Sequence, residues 1–463
     1  MTNPVTEQKS IQRTTLVVAS ITNFSNTFAA SSLNIALPHI GTEYGASATS
    51  VSWVILAFLL ASALLAIPFG RIADMYGRRP MLKLGILLFC ISSFFNIFSP
   101  TMPVFLMLRV LQGVGAAMVF STNTAILVDA WPPEKRGSVM GISVAAVFTG
   151  SALGPVIGGM VTHVFGWRSL FVLITALGVV ALVMAVVNLP NINRDMPKER
   201  VNLLSIALYI LSLGLFMYGL TTLTQNLLSY FIFGAGVILL VVFVKHEIRT
   251  EVPVVQVLLF KNRDFSLSNL AALFNFAAVF AVIYLMSIYL QLARGYSADV
   301  AGLIMISQPL VQAVLSPFAG RLSDKKSPPA IASIGMACCA AALFMFAFLN
   351  EQTSIIYIIA GLVLTGIGVA LFSTPNASMI MGAVESKDYG TASSMMSTSR
   401  MVGQVVGMAI LTIIVNAVIG NVPIADVAPA AIVFDMRVSF PIFGAICCVG
   451  IVFSLRRGIR REQ

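Results

Sequence analysis

The sequence predicts an all-α polytopic membrane protein in which two six-helix bundles flank two further helices, fourteen transmembrane helices in all. Three observations predict it: a composition too apolar for water, a row of apolar runs each long enough to cross a bilayer, and an internal repeat. Of 463 residues, 58% are hydrophobic and 10% charged, with a mean hydropathy of +0.93, where soluble domains carry about 25% charged residues. That excludes an ordinary soluble enzyme. A bilayer helix needs about 20 mostly apolar residues, so one polytopic domain accounts for the length better than several soluble ones.

The chain opens on a polar stretch, MTNPVTEQKSIQRTT, with Lys9 and Arg13. The apolar run behind it continues to about residue 37 without a cleavage signal, as a first span and not a removable signal peptide does. Five more runs lie at about 51–70, 81–99, 103–128, 138–162 and 169–189, and two at about 203–222 and 227–245. The last six fall at about 265–290, 299–319, 330–349, 353–377, 394–418 and 437–455. With the N-terminus inside, three of the 28 Lys and Arg fall outside (Arg168, Arg294, Arg437) and two within spans (Arg109, Arg400), leaving 23 inside. Such a bias puts both termini in the cytoplasm and requires an even number of crossings. It also explains the net charge of +10 without a nucleic-acid partner; the partner the composition implies is the lipid bilayer.

The repeat appears when the chain is offset by about 250 residues. IPFGRIADMYGRR, ending the second span, meets SPFAGRLSDKK, ending the tenth, so that Gly70, Arg71 and Asp74 pair with Gly320, Arg321 and Asp324. LQGVGAAMVFST (111–122) meets LTGIGVALFST (364–374), and RGSVMGISVAAVFTGSALG (136–154) meets YGTASSMMSTSRMVGQVVG (389–407). Residues 1–200 therefore form one six-helix bundle, 201–262 two inserted helices with a linker, and 263–463 the second bundle. Duplication of this kind builds transporters with a site between the halves near the midplane.

Several motifs carry chemistry. Gly70, Asp74, Gly77, Arg78 and Arg79 form a charged turn in which glycine lets helix ends approach and arginines can bind a carboxylate or helix C-termini. Arg109, Gln112 and Asn123 share a face of the fourth span, and an intramembrane arginine is presumed functional. Gly150, Gly154, Pro155, Gly158 and Gly159 combine a small-residue packing face with a proline that bends the helix, a combination suited to gating. The five cysteines sit in apolar runs without metal-site spacing, so neither a metal nor any other cofactor is expected. An intramembrane enzyme would need paired aspartates or a His-Glu-x-x-His site, and the sequence holds neither.

These strings together resemble the major facilitator superfamily, and the fourteen-span count resembles its drug and proton antiporter branch, over essentially the whole chain. The resemblance implies the major facilitator fold and a secondary transporter working by alternating access, one that exports amphiphilic small molecules, exchanges protons and functions as a monomer. Gly70–Arg79 is similar to the family's conformational-switch loop, with Asp129 as its acidic partner, and Gly150–Gly159 to the antiporter motif, followed by Trp167, Arg168 and Phe171. One departure is marked. The branch carries an acidic residue ahead of an Asn-x-Ala-Leu-Pro string; the string is present from Asn34 to Pro38, but Ala29 stands at the acidic position.

All 18 carboxylates are expected in loops, tails or span ends, leaving Asp74, Asp129 and His163 as groups that could exchange protons. Two intramembrane arginines without an acid bias the cavity toward neutral, zwitterionic or anionic amphiphiles. A metabolite or organic-anion exporter, or an uncoupled facilitator, is the alternative that the missing acids favour. The candidate lining is Asn23, Asn26 and Asn34 in the first span, Arg109, Gln112 and Asn123 in the fourth, and Asn275 and Tyr284 in the ninth. Gln308 and Gln312 in the tenth, Asn376 in the twelfth, and Arg400 and Gln404 in the thirteenth complete it.

Overall fold

The structure is a computed structural model that describes residues 4–189, 202–223, 226–251, 253–385, 389–420 and 422–457, without the side chains of 4–9, 128, 133–138, 141, 324–325 and 389–390. Among the described residues it is helical, with an isolated Ser47–Pro423 bridge in place of any sheet. In the first half α1 (Pro4–Glu43), α2 (Ala48–Tyr76), α3 (Arg78–Asn96), α4 (Met102–Ala130), α5 (Pro133–Phe165) and α6 (Arg168–Asn188) pack on one another. Next comes the pair α7 (Leu203–Thr222) and α8 (Leu227–Arg249). The second half holds α9 (Arg263–Ile288), α10 (Ala298–Met305), α11 (Ser307–Lys325), α12 (Pro328–Phe346), α13 (Ile355–Gly382), α14 (Tyr389–Val418) and α15 (Pro429–Leu455).

Twelve helical segments among the described residues are long and apolar enough to cross a membrane. The other two predicted spans are α1 and α3: α1 interrupts its apolar run with Thr, Ser and Asn, and α3 carries Arg78, Arg79 and Lys83 in its first six residues. Several helices run past the predicted spans, α1 to Glu43 and α2 to Tyr76, and two departures change what a span contains. The tenth predicted span breaks at Ile306 into α10 and α11, next to Pro309, which has no N–H to offer the Met305 carbonyl. The last helix starts at Pro429, eight residues before the predicted 437, and so draws Asp435 and Arg437 into a helix that can span.

Lipid supplies no hydrophobic drive between helices, so they associate where small residues let backbones meet. A Cβ on Gly115 would stand 2.7 Å from the Phe89 nitrogen and 2.8 Å from the Gly85 carbonyl oxygen, and one on Gly113 2.5 Å from the Phe58 oxygen. The second half repeats the arrangement: a Cβ on Gly368 would stand 2.7 Å from the Gly335 oxygen, and one on Gly366 2.5 Å from that of Gln308. These are the glycines aligned by LQGVGAAMVFST and LTGIGVALFST, so the repeat is one of packing as well as of letters.

The α7–α8 pair rests on both halves. The Tyr209 hydroxyl donates to the Ala63 carbonyl of α2 at 3.2 Å, the Tyr218 ring meets Trp53, and α7 also touches α14. Large apolar side chains stay exposed along α3, α6 and α8, among them Phe95, Val187 and Ile238, as lipid-facing surfaces require. The close approaches generate a test. Gly115→Val and Gly368→Val should each destabilise the protein by about 1–3 kcal/mol through overpacking, seen as lower melting temperatures in detergent. Gly234→Ala, whose Cβ would meet nothing within 4 Å, should be neutral or gain about 0.5–1 kcal/mol.

Candidate functional site

The two halves meet at the end of the molecule that carries the α1–α2 loop. There Ser287 Oγ donates to the Asn34 carbonyl at 2.5 Å and Gln291 Nε2 to that of Ile35 at 2.9 Å, tying α9 to α1. The Tyr284 hydroxyl reaches the Ala48 carbonyl at 3.3 Å, and the Ser52 and Thr412 hydroxyls lie 2.8 Å apart, joining α2 to α9 and α14. Outside them the Ile424 N–H donates to the Ala46 carbonyl at 2.9 Å. Each of these is a neutral hydrogen bond, worth about 0.5–1.5 kcal/mol net.

The glycine motif of α5 packs against both halves. A Cβ on Gly154 would stand 2.6 Å from Ser31 Cβ and one on Gly158 2.7 Å from Ser32 Cβ, while Gly150 packs on Thr27 and Phe24, so this face lies on α1. The opposite face crosses to the other half, with Gly159 against Ala298 and Pro155 against Gly302 of α10. Helix α14 does the converse: Gly403 and Gly407 lie on Leu273 and Ala277 of α9, while Thr412 reaches α2. Each bundle thus lends one helix to the other.

Among the described residues the Arg–carboxylate ion pairs lie within the first half, and one His–Asp approach crosses to the second. At the α2–α3 end Arg78 bridges Asp74 at 2.7 Å and Asp129 at 2.9 Å, and Gly77, with φ +108°, makes the turn that allows it. Arg79 is also engaged, and Arg71 donates to the Pro253 carbonyl of the linker. In the second half Gly320 packs near Thr374 and Arg321 lies over the Phe318 ring, while the side chain of Asp324 lies outside the described residues. At the α1–α2 end Glu43 pairs with Arg168 and accepts from Trp167 Nε1 at 2.6 Å. Burial raises the Glu43 carboxyl, but the bonds from Arg168 and Trp167 outweigh it and hold the group below its ordinary range. His163 lies 4.0 Å from Asp299.

The predicted lining residues divide into two sets. Arg109 is fully buried: its Nε donates to the Val54 carbonyl at 3.0 Å, its guanidinium lies 4.5 Å from the Phe58 ring centroid, and it is bonded to Gln112. Gln112 donates onward to Ser93 at 2.8 Å. Asn123 donates to Asn23 and Thr22 at 2.9 Å, Asn23 to Ser143 at 2.8 Å, and Asn376 accepts from Arg457 at 2.5 Å. These groups tie helices together. The second set keeps free capacity: among the described residues Asn26, Asn34 and Asn275 each hold a buried amide atom without a partner, as Asn123 of the first set also does at Oδ1. Gln312, Arg400 and Gln404 are half-buried and have no side-chain partner among the described residues, and Gln308 is buried in the same state.

Sequence reasoning missed three features. Ser52, Thr412, Ser287 and Gln291, which carry the junction, were hidden as isolated polar letters in apolar runs. Arg457, expected in the cytoplasmic tail, is buried and donates to Asn376 and Ser268. Asp435 corrects the expectation that every carboxylate lies in a loop, tail or span end: it is 2% exposed, inside α15, with Oδ1 unpartnered.

The sequence pattern of the Major Facilitator Superfamily matches residues 19–245 and 269–462. The chain is 31% identical over 386 residues to the uncharacterized transporter YebQ of Escherichia coli K12, covering 83% of this chain and 84% of that one. It is 27% identical over 441 residues to the riboflavin transporter RibZ of Clostridioides difficile, covering 95% and 96%. To the multidrug resistance protein Stp of Mycobacterium tuberculosis it is 29% identical over 408 residues, covering 86% and 75%. In three dimensions it superposes on a bacterial homolog of the human lysosomal transporter Spinster, inward-facing and unoccupied, with TM-score 0.71 and 16% identity over 96% of both chains. A D-xylose-proton symporter gives TM-score 0.70 at 14% identity, covering 96% of this chain and 97% of that one.

The Glu43 pair predicts an acid limb. A carboxyl held low in the folded state stabilises above the unfolded value near about pH 4.3, and the contribution is lost as pH falls through the folded value. The melting-temperature gap between wild type and Glu43→Gln, open at pH 7, should therefore close below about pH 4.

Proposed function

Because the chain belongs to the major facilitator superfamily, we propose that this membrane transporter is a secondary active carrier of a prokaryotic plasma membrane, exporting amphiphilic small molecules by alternating access in exchange for protons. In this reading residues 1–200 and 263–463 are the two rocking bundles and 201–262 the inserted pair and linker. The chain crosses fourteen times, has both termini in the cytoplasm and works as a monomer. The Lys and Arg bias supports that orientation, and bacterial relatives support the setting. The α1–α2 end is then the outer face, and the closed junction there is the outer gate of an inward-facing state.

The observation that carries the reading is a pair of bundles held together by neutral single hydrogen bonds at one end, with glycine faces on α5 and α14 about which they can rock. Rigid-body movement about such an interface is how two-bundle carriers alternate. The named relatives, a multidrug resistance protein and a riboflavin transporter, support amphiphilic cargo. Arg400 favours a second reading, an organic-anion or metabolite exporter, because a guanidinium on α14 without a partner among the described residues suits an anionic group.

The test is efflux of preloaded neutral, anionic and permanently cationic dyes from cells expressing wild type or Arg400→Gln, with and without a protonophore. Neutral and anionic dyes should leave by a route the protonophore stops, and Arg400→Gln should slow the anionic dye about tenfold, the loss of one charge-assisted hydrogen bond, with little effect on the neutral one. Cation export at a comparable rate would overturn the charge preference. Efflux of no dye would replace the multidrug reading with a narrow metabolite carrier.

A further inference from the structure

Among the described residues Asp435 is the one buried carboxylate with neither a hydrogen bond nor an ion pair, since Glu247 accepts from the Val255 N–H and Asp299 faces His163. It is the seventh residue of α15, is 2% exposed, and its Oδ1 is buried without a hydrogen-bond partner. It borders a small cavity lined also by Ala48, Tyr284, Ile288, Val415, Ile424 and Ile432. That lining belongs to both halves and lies directly behind the outer gate: Tyr284 makes the bond to the Ala48 carbonyl, and Ile424 the bond to that of Ala46.

Among the described residues no group lining the cavity holds the acid's charge. From α9 the titratable group on the cavity is Tyr284, already donating to Ala48. The Tyr289 hydroxyl, on the turn that packs against α15, donates to the Asn350 carbonyl at 2.6 Å. From α2, α14 and the 424–426 turn the lining is Ala48, Val415, Ile419 and Ile424; Asp426 is exposed. Arg400 lies on α14 fifteen residues before Val415, about 22 Å along a helix. The neighbouring helix α12 carries no acidic, basic or histidine residue, and Arg437, on the same helix as the acid, is exposed. An ionised carboxylate in such a place pays a desolvation penalty of several kcal/mol with nothing to offset it, whereas the neutral acid does not.

We propose that Asp435 is a proton-binding site of the outer gate: closure takes up one proton from the outer solution onto the carboxylate, and opening, which wets the cavity, lets it leave. One O–H bond forms as a hydronium is consumed, and no other group changes. The inference rests on the alternating-access reading and its orientation, but not on export or on any cargo. Outer acidity then favours the inward-facing state, a linkage distinct from the ion pairs at the opposite end of the molecule.

The experiment places spin labels at Thr101→Cys and Gln352→Cys, exposed positions in the α3–α4 and α12–α13 loops, with the exposed Cys448 replaced by Ser, in nanodiscs between pH 5 and 8. In wild type the closed-to-open ratio should fall about tenfold per pH unit, the signature of one linked proton. Asp435→Asn should stay closed at every pH, Asp435→Glu should keep the dependence, and Tyr284→Phe should keep it too. Infrared spectra of wild type should show a protonated-carboxyl band at pH 7 that Asp435→Asn lacks, a readout that needs no movement. A pH-independent wild type, an unchanged slope in Asp435→Asn, or absence of that band overturns the proposal. Dye efflux is not among these readouts, so a chain that titrates but moves no dye overturns export and leaves the site standing.

Discussion

In a lipid bilayer the hydrophobic effect stops discriminating between helix and solvent, and what remains to hold helices in register is direct contact between backbones. In this chain that contact is made at glycine. Gly85 with Gly115, Gly335 with Gly368, and Gly113 and Gly366 against the carbonyls of Phe58 and Gln308 set the geometry within each half. The same chemistry on α5 and α14 sets the geometry between halves. The hydrogen bonds between the halves are neutral: Ser, Thr, Tyr and amide groups.

The division of charge follows the same logic. The ion pairs of Asp74, Arg78 and Asp129 and of Glu43 and Arg168 all lie within the first half. They brace α2 against α4, and α1 against α6, inside one body. Between the bodies the described contacts are hydrogen bonds, glycine packing and apolar side chains of a shared core, with His163 and Asp299, 4.0 Å apart, as the one charged approach. Strong interactions within a body and weak ones between bodies are what a rigid-body transition requires.

The repeat was legible because packing glycines cannot be exchanged for other residues without separating two helices, so their spacing persists in letters where the surrounding apolar residues drift. Span edges were less legible. A hydropathy reading stops at the first charge, which is why α15 was begun after Asp435 and Arg437 although Pro429 to Phe434 are apolar and helical. The break at Ile306 was foreshadowed by Pro309, but the effect of a proline in a span depends on what its neighbours can repair. Polar residues within spans were placed on helices correctly by spacing, yet spacing cannot tell a tie from a lining. Arg109 and Arg400 read alike in sequence; one is enclosed by Val54, Phe58 and Gln112, and the other has no partner among the described residues.

That contrast bears on how an arginine is tolerated in a membrane. Arg109 satisfies its donors on a carbonyl and an amide and lays its plane over an aromatic ring, which meets the desolvation penalty without a carboxylate. Arg457, in the second half, satisfies its donors on Ser454, Asn376 and Ser268. Both are structural solutions that keep the charge permanently fixed, since arginine does not release its proton. Asp435 lacks any such solution, and a carboxyl, unlike a guanidinium, can shed its charge by binding a proton. Where the fold has supplied partners it has fixed the charge, and where it has left a titratable group bare at a moving contact it has left the charge state to follow the movement.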